Sequence, residues 1–197
     1  MTDELSDSTV AAAVRAEVVA YGMRRATMTS IARRAGLSRA TLHRRAGGVR
    51  ELVLDTLVGA FAETIVQAKA TAVEDVGDSA SRRVVIVRTV REVLELLWQD
   101  SLVEALREHD PELLLPYFVE RLGRSQQLLV NGLTAEIAAG QADGSVRQGD
   151  PSVLALTVLE ALTPFAVGRQ LLTDAHPGTS WSGEAAVLVD RYLAPDR

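Results

Sequence analysis

Apolar residues return every three or four positions along almost the whole chain, and no stretch alternates apolar and polar residues with the period of two that a half-buried strand requires. This restricts the fold class to all-α. Val10, Val14, Val18 and Tyr21 form the first apolar stripe, with Thr9 as its expected cap and Gly22 as its end. A short helix is expected from Met28 to Ala35 behind the cap Thr27, turning Met28, Ile31, Ala32 and Ala35 inward. Gly36 and Leu37 then make a tight turn, and Ser38 caps a third helix through Arg44. After Gly47 and Gly48, a longer helix sets Leu52, Thr56, Leu57, Ala60, Phe61, Thr64, Ile65 and Ala68 on one stripe.

The rest of the chain reads the same way. Gly77 to Ser81 is a polar connection, and Arg82 to Trp98 is valine-rich yet too long without a breaker to be a strand. That helix is expected to be apolar on nearly all sides and therefore central. Ser101 to His109 reads as a short helix. Asp110 and Pro111 read as the cap and first-turn proline of a segment reaching about Ala139, with Pro116 as a kink or restart. Gln141 to Asp150 is a loop. Pro151 opens a very apolar helix to about Thr173, interrupted at Pro164, and a loop from His176 to Ser182 leads to a last amphipathic helix, Glu184 to Leu193.

Charge is spread unevenly. The formal net charge is -5, yet residues 1–50 hold nine arginines against four acids, and the remainder holds 12 basic against 22 acidic residues. Between Gly22 and Arg50 there are eight arginines and no acid. Such a block on an acidic protein is the footprint of a nucleic-acid-binding module, although charge alone would also suit a solvated face or a partner-docking patch. The absence of cysteine excludes disulfides, thiolate metal sites and cysteine nucleophiles. His43, His109 and His176 lie in three separate segments, and no HExxH, GxSxG or phosphate loop occurs, so no catalytic residue, metal or cofactor is expected. Residues Met1 to Ser8 are polar and acidic, unlike a signal peptide. The apolar stretches Val84 to Val87 and Leu113 to Val119 fall short of the roughly 20 residues of a spanning helix. A cytoplasmic location is expected.

Residues Thr27 to His43 have the physics of a helix-turn-helix. Ile31, Ala35, Leu37 and Leu42 lock two short helices across a glycine turn, and Ala32 and Ala40 are small where close approach helps. Arg39, Thr41, His43 and Arg44 remain on the outer face as donors for phosphates or base edges in a major groove. An inert helical hairpin is the alternative for such a motif taken alone.

In order along the chain, Gly22, Thr27, Ile31-Ala32, Ala35-Gly36-Leu37-Ser38, Thr41-Leu42, Gly47 and Glu51-Leu52 resemble the N-terminal region of the TetR (tetracycline repressor) family of transcriptional regulators. The resemblance runs by motif over residues 9–58; beyond them it rests on length, helix count and the glycine-rich loop before Pro151. His43 stands where the family usually has tyrosine, Ala46 where it has phenylalanine, and Val49 where a phosphate-contacting lysine is common, leaving Arg50 or Arg45 as the expected substitute. The resemblance implies a DNA-binding domain at 1–48, a ligand-binding and dimerisation domain at 49–197, and a homodimer on a palindromic operator in double-stranded DNA, released by a small apolar effector. It points to Thr27, Arg34, Ser38, Arg39, Ala40, Thr41, His43, Arg44, Arg45 and Arg50 as DNA-binding residues. The implied effector contacts are Trp98, Tyr117, Phe118, Gln126, Glu160, Thr163 and Phe165; the implied dimer interface is Leu156, Leu159, Val167, Leu171, Val187, Leu188 and Tyr192. A helical ligand-binding enzyme or a protein-binding adaptor would lack the specific duplex binding that this reading requires.

Overall fold

A computed structural model describes residues 2–77, 79–113 and 124–195 and, apart from residues 2–6, 45, 113, 124–126 and 128, their side chains. Among the described residues all regular structure is helical: α1 (Thr2–Tyr21), α2 (Met28–Arg34), α3 (Arg39–Arg45), α4 (Val49–Val76), α5 (Arg82–Gln99), α6 (Ser101–His109), a 3-10 turn (Pro111–Leu113), α7 (Arg124–Ala142), α8 (Pro151–Val167), α9 (Arg169–Ala175) and α10 (Trp181–Leu193). The chain divides into two compact units, one of Met1–Phe61 with Asp100–Pro116 and one of Ala62–Gln99 with Tyr117–Arg197.

In the first unit, α1 packs on α2 and α6, and α2 on α3. The stripe Val10, Val14 and Val18 is buried, as are Ile31, Leu42, Val53, Leu57, Leu102 and Leu106. Each such aliphatic side chain contributes roughly 1.5–3 kcal/mol. Two sequence expectations are corrected here. Thr9 does not cap α1, which starts at Thr2; no glycine or proline separates the two, and Asp3 and Glu4 favour a helix N-terminus. Asp110 is not followed directly by an α-helix that it could cap. It closes α6, its amide donating to the Leu106 carbonyl, and the chain continues as a 3-10 turn. Pro116 and residues 114–123 lie outside the described residues. Asp100, the single residue between α5 and α6, caps α6: its Oδ1 accepts from the amides of Leu102 at 2.8 Å and Val103 at 3.0 Å.

In the second unit α5 packs against α7, α8 and α10. Ile86, Val90, Leu94, Ile137, Leu154, Val158, Val189 and Leu193 make the shared core. The expectation that α5 is apolar all round is corrected. Only Val85, Ile86, Val90 and Leu94 are buried, and Val84 is exposed. It also carries ion pairs, Arg83 with Asp190, Arg88 with Asp75 and Glu92, and Arg91 with Glu95, and Arg88, Arg91, Glu92 and Glu95 recur three and four positions apart and so share a face.

The helix opened by Pro151 runs through Pro164 and breaks at Gly168 instead, bending by 68° into α9. The Gly168 amide donates to the Pro164 carbonyl at 2.8 Å, and the Trp98 indole donates to the Phe165 carbonyl at 3.1 Å, a bond that takes up a last-turn acceptor from outside the helix. Asp150 caps α8 through the amides of Ser152 and Val153. Among the described residues no single helix is long and apolar enough to cross a membrane; α8 and α9 reach that length only together, across their bend.

Candidate nucleic-acid interface

The helix-turn-helix is built from reciprocal hydroxyl caps. Thr27 Oγ1 accepts from the Ser30 amide at 3.0 Å, and Ser30 Oγ accepts from the Thr27 amide at 3.1 Å, so both donors at the start of α2 are satisfied. Gly36, with φ of 69°, lets the chain reverse after α2 while the Leu37 amide donates to the Ala32 carbonyl at 2.8 Å. Ser38 Oγ accepts from the Thr41 amide at 3.0 Å and lies 2.8 Å from Thr41 Oγ1, which fixes the start of α3. Leu42 is the peg of α3, fully buried, and its burial leaves the opposite side free: Arg39, Ala40, His43 and Arg44 are exposed and Thr41 is half-buried. His43 is turned toward the end of its helix, Nδ1 lying 3.4 Å from the Ala46 carbonyl.

No acid stands in the first turn of α2 or α3, so the positive end of each helix dipole is uncompensated. Among the described residues Arg25, Arg33, Arg39, Arg44 and Arg50 are exposed and carry no ion pair. Arg25 and Arg33 are additions to the sequence-expected set; their position inside the acid-free block was the available signal. Arg34 behaves differently. Its guanidinium pairs with Glu17 Oε2 at 3.2 Å, and Glu17 is buried, so Arg34 ties α2 to α1. The side chain of Arg45 lies outside the described residues. Three or more metal-ligating side chains do not gather anywhere among the described residues.

Of the effector contacts implied by resemblance, the structure brings Trp98 and Phe165 together through the indole-to-carbonyl bond, and both pack on the core of the second unit. Thr163 Oγ1 donates to the Leu159 carbonyl at 2.9 Å, whereas Glu160 is exposed. Tyr117, Phe118 and the side chain of Gln126 lie outside the described residues. Of the implied dimer residues, Leu171, Val187 and Leu188 are exposed, Val167 is half-buried, and Leu156, Leu159 and Tyr192 rest partly on their own core. The Arg147 guanidinium also covers the Tyr192 ring, 4.6 Å from its centroid.

No protein-family model matches the chain. An HTH-type transcriptional regulator of Mycobacterium tuberculosis (strain H37Rv) is 37% identical over 142 residues, which are 72% of this chain and 70% of that one. Among solved structures, the R. erythropolis transcriptional repressor QsdR from the TetR family superposes with a TM-score of 0.70 at 18% identity, over 98% of this chain and 97% of that one. SmeT in complex with triclosan superposes with a TM-score of 0.59 at 14% identity, over 95% of this chain and 90% of that one.

Proposed function

Because this chain belongs to the helix-turn-helix transcriptional regulators and has the fold of the TetR family, we propose that it reads a palindromic operator as a homodimer and that a small apolar effector releases it. The observation that carries the DNA part is the set of five exposed arginines without carboxylate partners around the capped helices α2 and α3. Arg39 and Thr41 read base edges from the first turn of α3, with Ala40 small enough to let the helix approach. Arg25, Arg33, Arg44 and Arg50 lie on phosphates, with Thr27, Ser38 and His43 as further hydroxyl and imidazole donors. Residues 1–48 are the DNA-binding part and 49–197 the part that binds effector and partner subunit. The outer faces of α8 and α10 pair with a second copy; exposed Val153, Val187 and Leu188 support this, since obligate interfaces are apolar. Two recognition helices then meet half-sites one or more helical turns apart.

The effector is assigned to the region of Trp98, Thr163 and Phe165, with Tyr117, Phe118 and Gln126 completing the contacts. SmeT, which shares the fold, is seen with triclosan. Pro164 supports the placement because its missing amide leaves the Glu160 carbonyl without a helical donor, a polar group of the kind that orients a mostly apolar ligand. The protein acts as a repressor in the cytoplasm.

Selection of bound duplexes from a random or genomic pool at low salt tests the central reading. The expected result is a palindrome bound with an affinity that falls steeply with salt, as released counterions require. No preference for any duplex, or a clean monomer by light scattering at micromolar concentration, would sink it. The selected duplex then tests the effector: apolar compounds that quench Trp98 emission are expected to weaken the complex, and quenching without a change in DNA affinity rules out a regulatory site there.

A further inference from the structure

Two acids of the first unit, Glu17 and Asp110, are buried, whereas the arginines without ion pairs among its described residues are exposed. Asp110 is the most buried of those acids, with only 1% of its surface exposed. A carboxylate is seldom buried unless charged or hydrogen-bonding groups face it, and what faces this one is the turn that leads into the helix-turn-helix. Gly22 ends α1 with φ of 74° and swings the chain away, so the Met23 amide has no acceptor in its own helix. It donates instead to Asp110 Oδ2 at 2.7 Å, a part-buried bond to a carboxylate oxygen. Glycine is favoured here by its φ of 74° rather than by space, since a Cβ would make only ordinary contacts, 3.4 Å from His109 Cβ and 3.5 Å from Asp110 Oδ2.

Arg24 closes over the same carboxylate. Its Nε lies 3.6 Å from Asp110 Oδ1, and its Nη2 donates to Glu112 Oε1 at 3.0 Å. Glu112 raises the Arg24 pKa, and a bond to its own backbone amide, followed by Arg24, holds Glu112 below the usual carboxylate range. Arg24 is three-quarters exposed, so the part-buried amide-to-carboxylate bond is the firmer link. Two acids thereby withdraw Arg24 from the cations available to DNA. Three residues after Arg24 the chain reaches Thr27, the cap of α2, so whatever holds Met23 and Arg24 sets where α2 starts.

We propose that Asp110 is a positioning residue for DNA recognition: from the end of α6 it clamps the α1–α2 turn and so sets how α2 and α3 are presented. This rests on the DNA-binding reading above. The test compares the unaltered chain with Asp110→Ala and Asp110→Asn, measuring the ratio of affinities for the selected duplex and for a random duplex, together with helicity and exchange of the Met23 amide. In Asp110→Ala the ratio is expected to fall about tenfold while the salt slope of random binding holds, because the phosphate-facing arginines are untouched. The Met23 amide should also lose its protection. Asp110→Asn keeps an acceptor oxygen and should recover most of the ratio, remaining down by about threefold because the charge facing Arg24 is gone.

An unchanged ratio in a folded Asp110→Ala protein, a Met23 amide that stays protected in it, or an equal loss of specific and random binding would each overturn the proposal. If the alanine variant does not keep its helicity, Asp110→Asn decides: a fall beyond about twofold supports the clamp and no fall overturns it. Failure of the unaltered chain to select any duplex overturns the functional reading itself. An unaltered chain that selects, beside variants that select equally well, overturns only the clamp.

Discussion

Arginine has opposite fates in the two units. Around α2 and α3, five exposed arginines have no acid within reach, whereas along α5 and its neighbours Arg82, Arg83, Arg88 and Arg91 each meet a carboxylate, and Arg147 and Arg169 donate to the Tyr192 and Trp98 carbonyls. Both regions are rich in the same cation. A guanidinium already paired must break that pair to bind another anion, so the unpaired arginines around α2 and α3 are the readier partners for phosphate. Arg15, Arg24 and Arg34 show the same rule inside the first unit, where Asp100, Asp110 with Glu112, and Glu17 hold them in place. The basic block is therefore two sets, one paired into the frame and one without carboxylate partners.

The largest expected effect lies in the free set. Arg39→Ala should cost about 1–3 kcal/mol of operator binding and relax the preference at one base position, while Arg50→Ala should weaken all duplexes alike and lower the salt slope by about one. Fluorescence anisotropy titrations across a salt series separate the two; equal loss of specificity in both would break the division between base and phosphate contacts.

A smaller effect belongs to the frame. Burial alone would raise the Asp100 pKa, but Arg15 and the amides of Val103 and Leu102 outweigh it and hold the carboxyl below the usual aspartate range. A depressed folded value stabilises the native state above the unfolded pKa of about 4 and loses that contribution as pH falls through the folded value. Asp100→Asn keeps an N-cap oxygen yet gives up the Arg15 pair, so it should cost about 1 kcal/mol at neutral pH and progressively less in the acid range. Urea unfolding at several pH values reads this, and a gap that fails to close in acid would remove Asp100 from the frame. The smallest effect is expected in the second unit. Arg88→Gln breaks surface pairs with Asp75 and Glu92, and should move stability by only about 0.5 kcal/mol and DNA affinity not at all. A loss of DNA affinity there would erase the contrast between the units.

Local chemistry made much of this legible. Thr27, Gly36 and Ser38 announced α2, the turn and α3 because each acts on backbone groups within four residues of itself, and Leu42 was recognisable as the inward peg by period alone. The same window failed where partners were distant. α5 looked apolar because valines crowd it, and the carboxylates Asp75 and Asp190 that ion-pair with it lie in other elements. Nothing near Trp98 in the chain announces the partner of its indole N–H, a carbonyl 67 positions away.

What the sequence determined by itself was the helical class, the recognition motif and an acid-free run of arginines, because caps, breakers and charge content are properties of neighbours along the chain. Tertiary structure decided which arginines are free. Arg34 meets an acid 17 positions away, Arg15 one 85 away and the Met23 amide one 87 away, and no periodicity connects residues at such separations. Only when α6 packs on α1 do Asp100 and Asp110 arrive at the frame, and burial there removes the competing water that would otherwise make these bonds weak.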